Sequence, residues 1–408
     1  MFVQDDWYHL YHTQGKTWQQ ILNHFNLWQS GQIDPLNFYR PLSTKLYFFL
    51  AGKLFGLHSG WYRLVNVFLF AAVSFSVFRL AKKIAGQKKA LAAAFFYLFN
   101  LANFTFFSYI TKAEDLFFAL FAFLSIKGWL DHKKPAGLFF FILSLMCRES
   151  ALIIPGAIAA FLFFIKKKKV SKIIKDLLPW LTIASFYFLS RQFIYGWPQA
   201  HDTYQISLFG SHLGLNLVKY LQWNLNITAL LKEKSFLSFL SLFSLAGFFI
   251  FVLTGFFKSL NRQPAKENIR SRYLFCLCWW FIFLFPVVFF ADHRDPWNLA
   301  VASFGLSLFL SLAVHHLGKR AKIISFCLYF FSLAAGLLFY RRHHWTASRA
   351  RLVKETASQI KKQCSNQKVV ITAADPKTLE ELRYAWYFQL GTKVFCANKN
   401  LKTIYQLE

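Results

Sequence analysis

The sequence predicts an all-α polytopic membrane protein with about ten transmembrane helices and a small C-terminal α/β appendage. Two observations support this fold class. The chain is 56% hydrophobic over 408 residues yet carries a net charge of +29, and its charges lie between apolar stretches rather than within them. These stretches are long enough for a helix to cross about 30 Å of hydrocarbon, and lipid offers an exposed backbone no hydrogen-bond partners. We therefore expect the stretches to be helices.

The apolar stretches set the predicted spans and the domain boundaries. The spans are residues 61–80, 90–109, 115–130, 136–147 with 150–165 as a short pair, 177–195, 236–257, 273–291, 297–316 and 322–340. We predict three domains, which are an outer loop with an acidic pair at 1–60, a transmembrane helical domain at 61–340 and a small extracytoplasmic α/β tail at 341–408. In the outer loop, Lys45 and Lys53 interrupt the apolar run from Leu42 to Leu57, which predicts an interfacial helix rather than a span.

Five short basic loops carry nearly half of the 47 Lys and Arg residues. They are Arg79–Lys89, Lys127–Lys134, Lys166–Lys175, Lys258–Arg272 and Lys319–Lys322. The positive-inside rule places all five in the cytoplasm, so the acidic-pair loop and the tail face outward at the cell membrane. Because full spans separate the basic patches, they form no continuous basic face, which argues against nucleic acid as a partner.

The tail has the pattern of a small α/β unit. Its predicted elements are a helix at Ala347–Lys362, a strand at Lys368–Thr372, a helix at Leu379–Leu390 ended by Gly391, and a second strand at Lys393–Cys396. Asp375 and Pro376 suit the N-cap and the first position of the second helix. Only Cys364 and Cys396 of the six cysteines lie in a polar region, so we predict neither a disulfide framework nor a zinc site.

The 18 acidic residues are few enough for their positions to be informative. Three acidic sites fall on the predicted outer side, which are Asp5-Asp6, Glu114-Asp115, and Asp292 with Asp295 around His293-Arg294. We expect them to converge on one cleft. The simpler interpretation, that outer loops need polar residues, stays open.

Arg148-Glu149 forms the turn of the short hairpin 136–165, whose first leg rises only about 16 Å. The turn is therefore predicted to lie within the outer half of the membrane. An ionisable pair at that depth costs a few kcal/mol and is a functional candidate by default. The structural alternative is an ion pair that neutralises itself and fixes the hairpin.

Arg40-Pro41 follows the acidic pair in the outer loop. The planar fork of Arg binds two phosphate oxygens at once, although Arg40 at the start of an interfacial helix suits lipid headgroups equally well. His9 and His12 near the acidic pair are an incomplete ligand set. A divalent metal is therefore possible but unsupported, and we predict no metal site.

Taken in order, these motifs resemble those of the GT-C superfamily of membrane glycosyltransferases. They are Asp5-Asp6, Tyr39-Arg40-Pro41-Leu42, Leu54-Phe55-Gly56-Leu57, Tyr62-Arg63-Leu64-Val65-Asn66, Arg148-Glu149-Ser150-Ala151-Leu152 with Pro155, and His293-Arg294 before a span containing Gly305. The nearest likeness is to the protein O-mannosyltransferases, the TMTC-type transferases and their bacterial relatives. Arg148 stands where the family's hairpin has Lys. The likeness covers residues 4 to about 340 and leaves the tail unmatched.

The resemblance implies an enzyme that moves a sugar from a polyprenyl-phosphate donor to an acceptor hydroxyl of a glycan, lipid or protein. It implies Asp5 as the general base with Asp6 beside it, although the sequence alone leaves their order open. Glu114 or Asp115 resembles the family's second acidic site. The candidate ligands of the donor phosphate are Arg40, Arg148 and Arg294, with Glu149 and His293 in support.

Two other functions stay open. One is a transporter or flippase of lipid-linked glycans, a class that predicts internal repeats and broken helices, neither of which the sequence shows. The other is a non-catalytic membrane scaffold whose tail binds a partner. The family has a span before its acidic pair, so the resemblance also predicts an apolar segment of about 20 residues upstream of Met1.

Overall fold

The fold was obtained as a computed structural model, which describes residues 1–29, 38–196, 206–227, 236–261, 266–291 and 293–407. Six helices in these ranges are long and apolar enough to cross a membrane. They become seven if Gln87–Leu98 and Leu101–Ser108, which are bent by 54° at a short break, count as one span. An all-α polytopic membrane protein is thus confirmed in coarse form, whereas the count of about ten spans stays a prediction.

The helices and strands are numbered in chain order. The outer loop contains α1 (Asp5–Thr13), α2 (Trp18–Leu22) and α3 (Tyr47–Phe55), with a π-helical turn at Pro41–Leu46 before α3. The central region contains α4 (Ser59–Ala85), α5 (Gln87–Leu98), α6 (Thr105–Ser108), α7 (Ala113–Leu130), α8 (Lys134–Leu145), α9 (Ile154–Ala160), α10 (Val170–Tyr195), α11 (His212–Asn224), α12 (Phe236–Asn261), α13 (Lys266–Val288), α14 (Leu299–His315) and α15 (Lys319–His343). The tail contains α16 (Trp345–Gln363), β1 (Lys368–Ala373), α17 (Pro376–Ala385), α18 (Leu390–Phe395) and β2 (Lys402–Leu407).

Contacts divide the chain into two compact units. Unit 1 is Met1–Phe68, Phe106–Glu114 and Tyr340–Glu408, and unit 2 is Leu69–Thr105 and Asp115–Phe339. The predicted outer loop and the predicted tail, which are far apart in sequence, therefore belong to the same unit. The predicted boundary between the second and third spans also falls inside unit 1, because residues 106–114 belong to it.

The core of unit 1 joins α1 to the tail through aromatic side chains. Trp7 stacks on Trp386 with ring centroids 5.2 Å apart, and Phe2 meets Tyr62 edge-on at 5.1 Å. The backbone N–H of Gln4 donates to the carbonyl of Ala385 at 3.1 Å. Burial of such large rings dominates packing energy, so the tail supports the start of the chain.

The tail is an α/β unit as predicted, but its second strand was misplaced. β1 and β2 pair in parallel, with Lys368 opposite Lys402. The prediction of a strand at Lys393–Cys396 is wrong, because most of that run belongs to α18. Parallel strands need a crossover connection, and α17 and α18 supply it here. A four-residue apolar run has too little periodicity to separate a strand from a short helix.

The start of α17 was predicted correctly. The Asp375 side chain accepts from the Thr378 N–H at 3.0 Å, and Pro376 occupies the first turn. The helix ends at Ala385 rather than at the predicted Leu390. Gly391 lies in α18, and its N–H donates to the carbonyl of Trp386 at 2.8 Å.

The tail contains one disulfide bond, although the sequence indicated no disulfide framework. Cys364 and Cys396 are bonded across a sequence separation of 32 residues. The crossover brings the end of α16 next to the end of α18, a proximity that cysteine spacing alone does not reveal. The sequence signal for this bond was that these two cysteines lie in a polar region, whereas the other four do not.

Unit 2 is built around α14, the most buried of the apolar helices. Within the candidate span Pro296–His315, 89% of the window is buried inside the protein. A Cβ at Gly305 would collide with the carbonyl of Cys276, so glycine allows α13 and α14 to approach closely. The predicted short pair is confirmed as α8, with 12 residues, and the apolar helical run Glu149–Ile165.

The five basic loops lie at one end of unit 2. Asp131 pairs with both Lys83 and Lys127, which connects the first loop to the second. Asp176 receives the Lys168 ammonium at 2.7 Å and lies within electrostatic range of Lys134. The other two loops lie within electrostatic range of the first loop or of its neighbour. Lys89 lies in this range of Arg272, and His315 lies in this range of Lys88 and Lys322. A common side for these loops is what the positive-inside prediction requires, and the orientation itself stays a prediction.

We predict that breaking the Cys364–Cys396 bond loosens the tail. A Cys364→Ser variant should lower the free energy of opening of the tail by about 2 to 4 kcal/mol, because the bond restricts the unfolded chain. Hydrogen exchange of the β1 amides in the full-length protein measures this. Cys327→Ser, which changes an exposed free cysteine, is the control. Equal exchange rates in the two variants would contradict the prediction.

Candidate functional site

The acidic pair occupies the first turn of α1, where the helix dipole favours negative charge. Asp6 is fully buried, and both of its carboxylate oxygens accept hydrogen bonds. The Val3 N–H donates to Oδ2 at 3.0 Å. The N–H and the hydroxyl of Thr111 donate to Oδ1 at 2.8 and 2.6 Å. Asp6 thus fastens α1 to the turn Ile110–Lys112.

Burial raises the pKa of Asp6 from 3.8 to about 6. Loss of water around the carboxylate is the largest cause, and it exceeds the opposing effect of the hydrogen bonds from Thr111 and Val3. The side chain is therefore a buried structural group whose lone pairs are committed to the protein.

Asp5 differs from its neighbour because it is half-buried rather than enclosed. Its backbone N–H donates to the Tyr109 hydroxyl at 3.3 Å. Burial, together with the charges of Asp5 and Asp6, holds the pKa of Tyr109 well above its usual value. Tyr109 therefore stays protonated beside the acidic pair.

Arg40 and Glu114, both singled out from the sequence, form an ion pair in unit 1. Arg40 Nη1 lies 3.1 Å from Glu114 Oε2, and their side chains are 11% and 6% exposed. Lys112 Nζ lies 3.3 Å from the other oxygen, Oε1. The Arg40 guanidinium also stacks over the Phe38 ring at 4.4 Å. Two buried cations thus share one carboxylate.

These contacts bring three separate parts of the sequence into one group, which we call the unit 1 cluster: Asp5, Asp6, Arg40, Lys112 and Glu114. The turn Ile110–Lys112 is the link, because Thr111 bonds Asp6 and the next residue, Lys112, contacts Glu114. Of the three acidic sites expected to converge on one cleft, Asp5-Asp6 and Glu114 lie in unit 1 together with Arg40, whereas Asp115 and Asp295 belong to unit 2. Lys112 and Thr111 were missed, since neither residue type signals a site without its distant partner.

The tail reinforces this cluster from the other end of the chain. The Arg349 side chain donates to Glu381 at 2.7 Å and also bonds the side chain of Gln4, the residue before α1. Arg349 lies over the rings of Trp345 and Tyr384 as well. No local pattern in the sequence predicts a contact across about 345 positions.

Asp115 and Arg148 form a second group in unit 2. They make an ion pair in which the Asp115 side chain is fully buried and the Arg148 side chain is 11% exposed. Arg148 Nη2 donates to the Asn298 side-chain oxygen at 2.6 Å, and Asn298 donates to the Tyr220 hydroxyl at 2.9 Å. The carboxylate offsets the cost of burying the arginine. The sequence did not single out Asn298 or Tyr220, because neither carries a charge.

Arg148 is held in extended backbone directly before the turn Glu149–Ile153. This turn starts the second half of the hairpin, so the arginine lies where the two short legs meet. Glu149 itself is half-buried. The ion pair to Asp115 shows that a residue of α7, outside the hairpin, neutralises Arg148.

The turn that contains His293 and Arg294 is less enclosed than the unit 1 cluster or the group at Arg148. His293 Nε2 lies 2.9 Å from Asp295 Oδ2, and both side chains are about one-fifth exposed. Arg294 is half-buried and forms no ion pair with any residue that the structure describes. Asp292 lies outside the described residues. Among the parts of the chain that are described, no three His, Cys, Asp or Glu side chains are arranged to hold a metal ion.

Comparison with known proteins gave no matching family model, no matching curated protein and no matching solved structure.

We predict that Asp6 makes stability fall as pH rises. The folded protein holds the Asp6 proton more tightly than the unfolded chain, so this stabilisation is complete below pH 3.8 and lost as pH passes about 6. Between about pH 4 and pH 7, the wild type should lose about 2 kcal/mol relative to Asp6→Asn. Thermal unfolding of both proteins in detergent measures the difference.

Asp375→Asn is the matched control for this experiment. Hydrogen bonds from Thr378 lower the pKa of Asp375, so its contribution is lost as pH falls, the opposite direction. Parallel pH profiles for the wild type and Asp6→Asn would show that the buried carboxyl is not the source of the dependence.

Proposed function

We propose that this protein is a membrane glycosyltransferase that uses a polyprenyl-phosphate sugar as donor and an acceptor hydroxyl at the outer membrane face. The observation that supports this most is the unit 1 cluster. Three motifs of the GT-C resemblance, Asp5-Asp6, Arg40 and Glu114, lie together there although more than 100 residues separate the first from the last. Transfer of a sugar from a phosphate leaving group requires a carboxylate that accepts a proton and cations that stabilise the phosphate. The unit 1 cluster contains groups of both kinds.

In the proposed reaction, the acceptor oxygen attacks the anomeric carbon of the sugar. The bond from that carbon to the phosphate oxygen breaks, and its electron pair leaves with the lipid phosphate. The acceptor proton passes to a carboxylate, and we assign this role to Asp5. Asp6 is fully buried and occupied by Val3 and Thr111, whereas Asp5 is half-buried at the N-terminus of α1. Asp6 then acts as a positioning residue.

Arg40 is the proposed phosphate ligand of unit 1. Its guanidinium is held by Glu114 and Phe38, so it is oriented before any ligand arrives. A phosphate has the charge and the geometry to bind the same planar fork. Arg148 is the better ordered of the two candidates in unit 2, because Asp115 and Asn298 fix it, and Arg294 remains a candidate from the resemblance alone.

One observation favours a transporter of lipid-linked glycans as a second candidate. The pair Gln87–Leu98 and Leu101–Ser108 is bent by 54°, and broken helices are typical of transporters. The break includes Asn100, whose side chain accepts from the Ala102 N–H and donates to Asn224. A transporter binds its substrate through polar groups near the membrane midplane. The role proposed for the unit 1 cluster does not require a position at the midplane.

We predict that Asp5→Asn abolishes sugar transfer. The full-length protein is reconstituted with a panel of polyprenyl-phosphate sugars, and turnover should fall by roughly a hundredfold or more when the base is removed. Thermal unfolding should change little, because Asp5 is half-buried. Asp6→Asn should reduce transfer and stability together, since it disturbs the turn that carries Thr111.

Glu380→Gln, an exposed change in the same unit, is the control and should keep full activity. Transfer that survives Asp5→Asn would contradict the assignment of the base. Movement of lipid-linked glycan across the vesicle membrane, with no transfer from any donor, would favour the transporter instead.

A further inference from the structure

A groove opens at the end of unit 2 where the basic loops lie. It lies between α5, α14 and α15 and has a volume of about 450 Å³. This is within the size range of small-molecule sites in proteins. None of the residues discussed for the proposed transferase reaction lines it.

The floor of the groove is apolar and continuous with the core of unit 2. Phe95 from α5 and Phe326 from α15 meet edge-on, with ring centroids 4.9 Å apart. Ala92 and Val314 complete the surface, and both belong to or pack against the core cluster around Phe96. A hydrocarbon chain laid on this surface would contact well-ordered side chains.

The rim of the groove is cationic. Lys88 and Lys322 line it from two different basic loops, and His315 at the end of α14 lies within electrostatic range of both lysines. Lys89 is also within electrostatic range of His315. Arg272 lies in the same range of Lys89, which adds a third loop. No acidic residue from the described part of the chain lines the groove.

Like charges repel one another, so a cluster of cations beside an apolar surface is unfavourable on its own. Binding of an anion there relieves the repulsion and stabilises the protein. The rim is joined to the fold by a hydrogen bond, because the Ser311 hydroxyl donates to the carbonyl of Lys89 at 2.5 Å. The cations therefore belong to the packed helices rather than to a loose tail. Lys88, Lys89, Arg272 and Lys322 belong to segments that the sequence predicts to face the cytoplasm, where the leaflet carries anionic lipid.

We propose that this groove binds one anionic phospholipid of the cytoplasmic leaflet. Its phosphate lies between Lys88 and Lys322, and one acyl chain lies on Phe95 and Phe326. A free phosphate would leave the apolar floor exposed, so the charge and the floor together fit a lipid.

This site is separate from the group at Arg148. Asp115 and Asp131 stand at opposite ends of α7, about 24 Å apart along the helix. Arg148 pairs with Asp115, whereas the loop that carries Lys88 contacts Asp131 through Lys83. The proposal is therefore independent of the proposed transferase activity and holds even if that activity is absent.

The test measures lipid selectivity of the full-length protein in detergent, by native mass spectrometry with added phosphatidylglycerol and phosphatidylcholine. The wild type should retain phosphatidylglycerol in preference to phosphatidylcholine. Lys88→Gln with Lys322→Gln should weaken phosphatidylglycerol binding by about fivefold for each lysine, as expected for basic groups at an anionic headgroup. Thermal unfolding verifies that each variant is folded.

The matched control is Lys172→Gln with Lys175→Gln, which removes the same charge from exposed positions in the first turns of α10 that do not line the groove. It should leave selectivity unchanged. A second variant, Ala92→Phe, fills the floor without changing charge and should also reduce phosphatidylglycerol binding.

Four results would overturn the proposal. Equal retention of the two lipids would remove its basis, and equal loss in both lysine pairs would mean bulk attraction to the basic end. Displacement of the bound lipid by inorganic phosphate alone would point to a free anion site. Displacement by a polyprenyl phosphate at much lower concentration than by phosphatidylglycerol would assign the groove to that lipid instead.

Discussion

The hydrogen bonds between the buried Asp6 carboxylate and Thr111 are the constraint on which unit 1 depends. A buried carboxylate is tolerated only when its lone pairs are satisfied, and Val3 and Thr111 satisfy them. Asp6 belongs to α1, so this bond also fixes the position of Asp5. Thr111 belongs to the turn before Glu114, so the same bond fixes the carboxylate that holds Arg40. The hydrogen-bonded Asp6 carboxylate therefore fixes the positions of both Asp5, the proposed base, and Arg40, the proposed phosphate ligand.

The two ends of unit 2 differ in their charge. The basic loops gather at one end, where Asp131 and Asp176 neutralise only part of their charge. At the other end of α7, Asp115 neutralises Arg148 in a buried pair. The exposed excess at the basic end suits the anionic surface of a membrane, and the buried pair suits a site that water does not reach. This separation is why the anionic phospholipid is assigned to the basic end of unit 2 and not to the buried pair at Arg148.

Features that depend on local chemistry could be predicted from the sequence. Apolar length fixed the helical character of the spans, and the Asp375-Pro376 pair fixed the start of α17. Features that depend on distant contacts could not. The Cys364–Cys396 bond, the parallel pairing of β2 and the position of Thr111 all require partners that the sequence leaves unspecified. The sequence singled out the acidic residues and arginines of the candidate site, whereas Lys112, Asn298 and Tyr220 were missed because their roles appear only beside those residues.

A double-mutant cycle between Asp6 and Thr111 tests the central claim most directly. Asp6→Ala, Thr111→Ala and the double variant are compared with the wild type by denaturant unfolding of the full-length protein at neutral pH. If the carboxylate and the hydroxyl act as one clamp, the two changes should couple by about 1.5 kcal/mol or more, as expected for a hydrogen bond to a charged group. Effects that add within about 0.4 kcal/mol would show that the two residues stabilise the protein independently and would contradict this account.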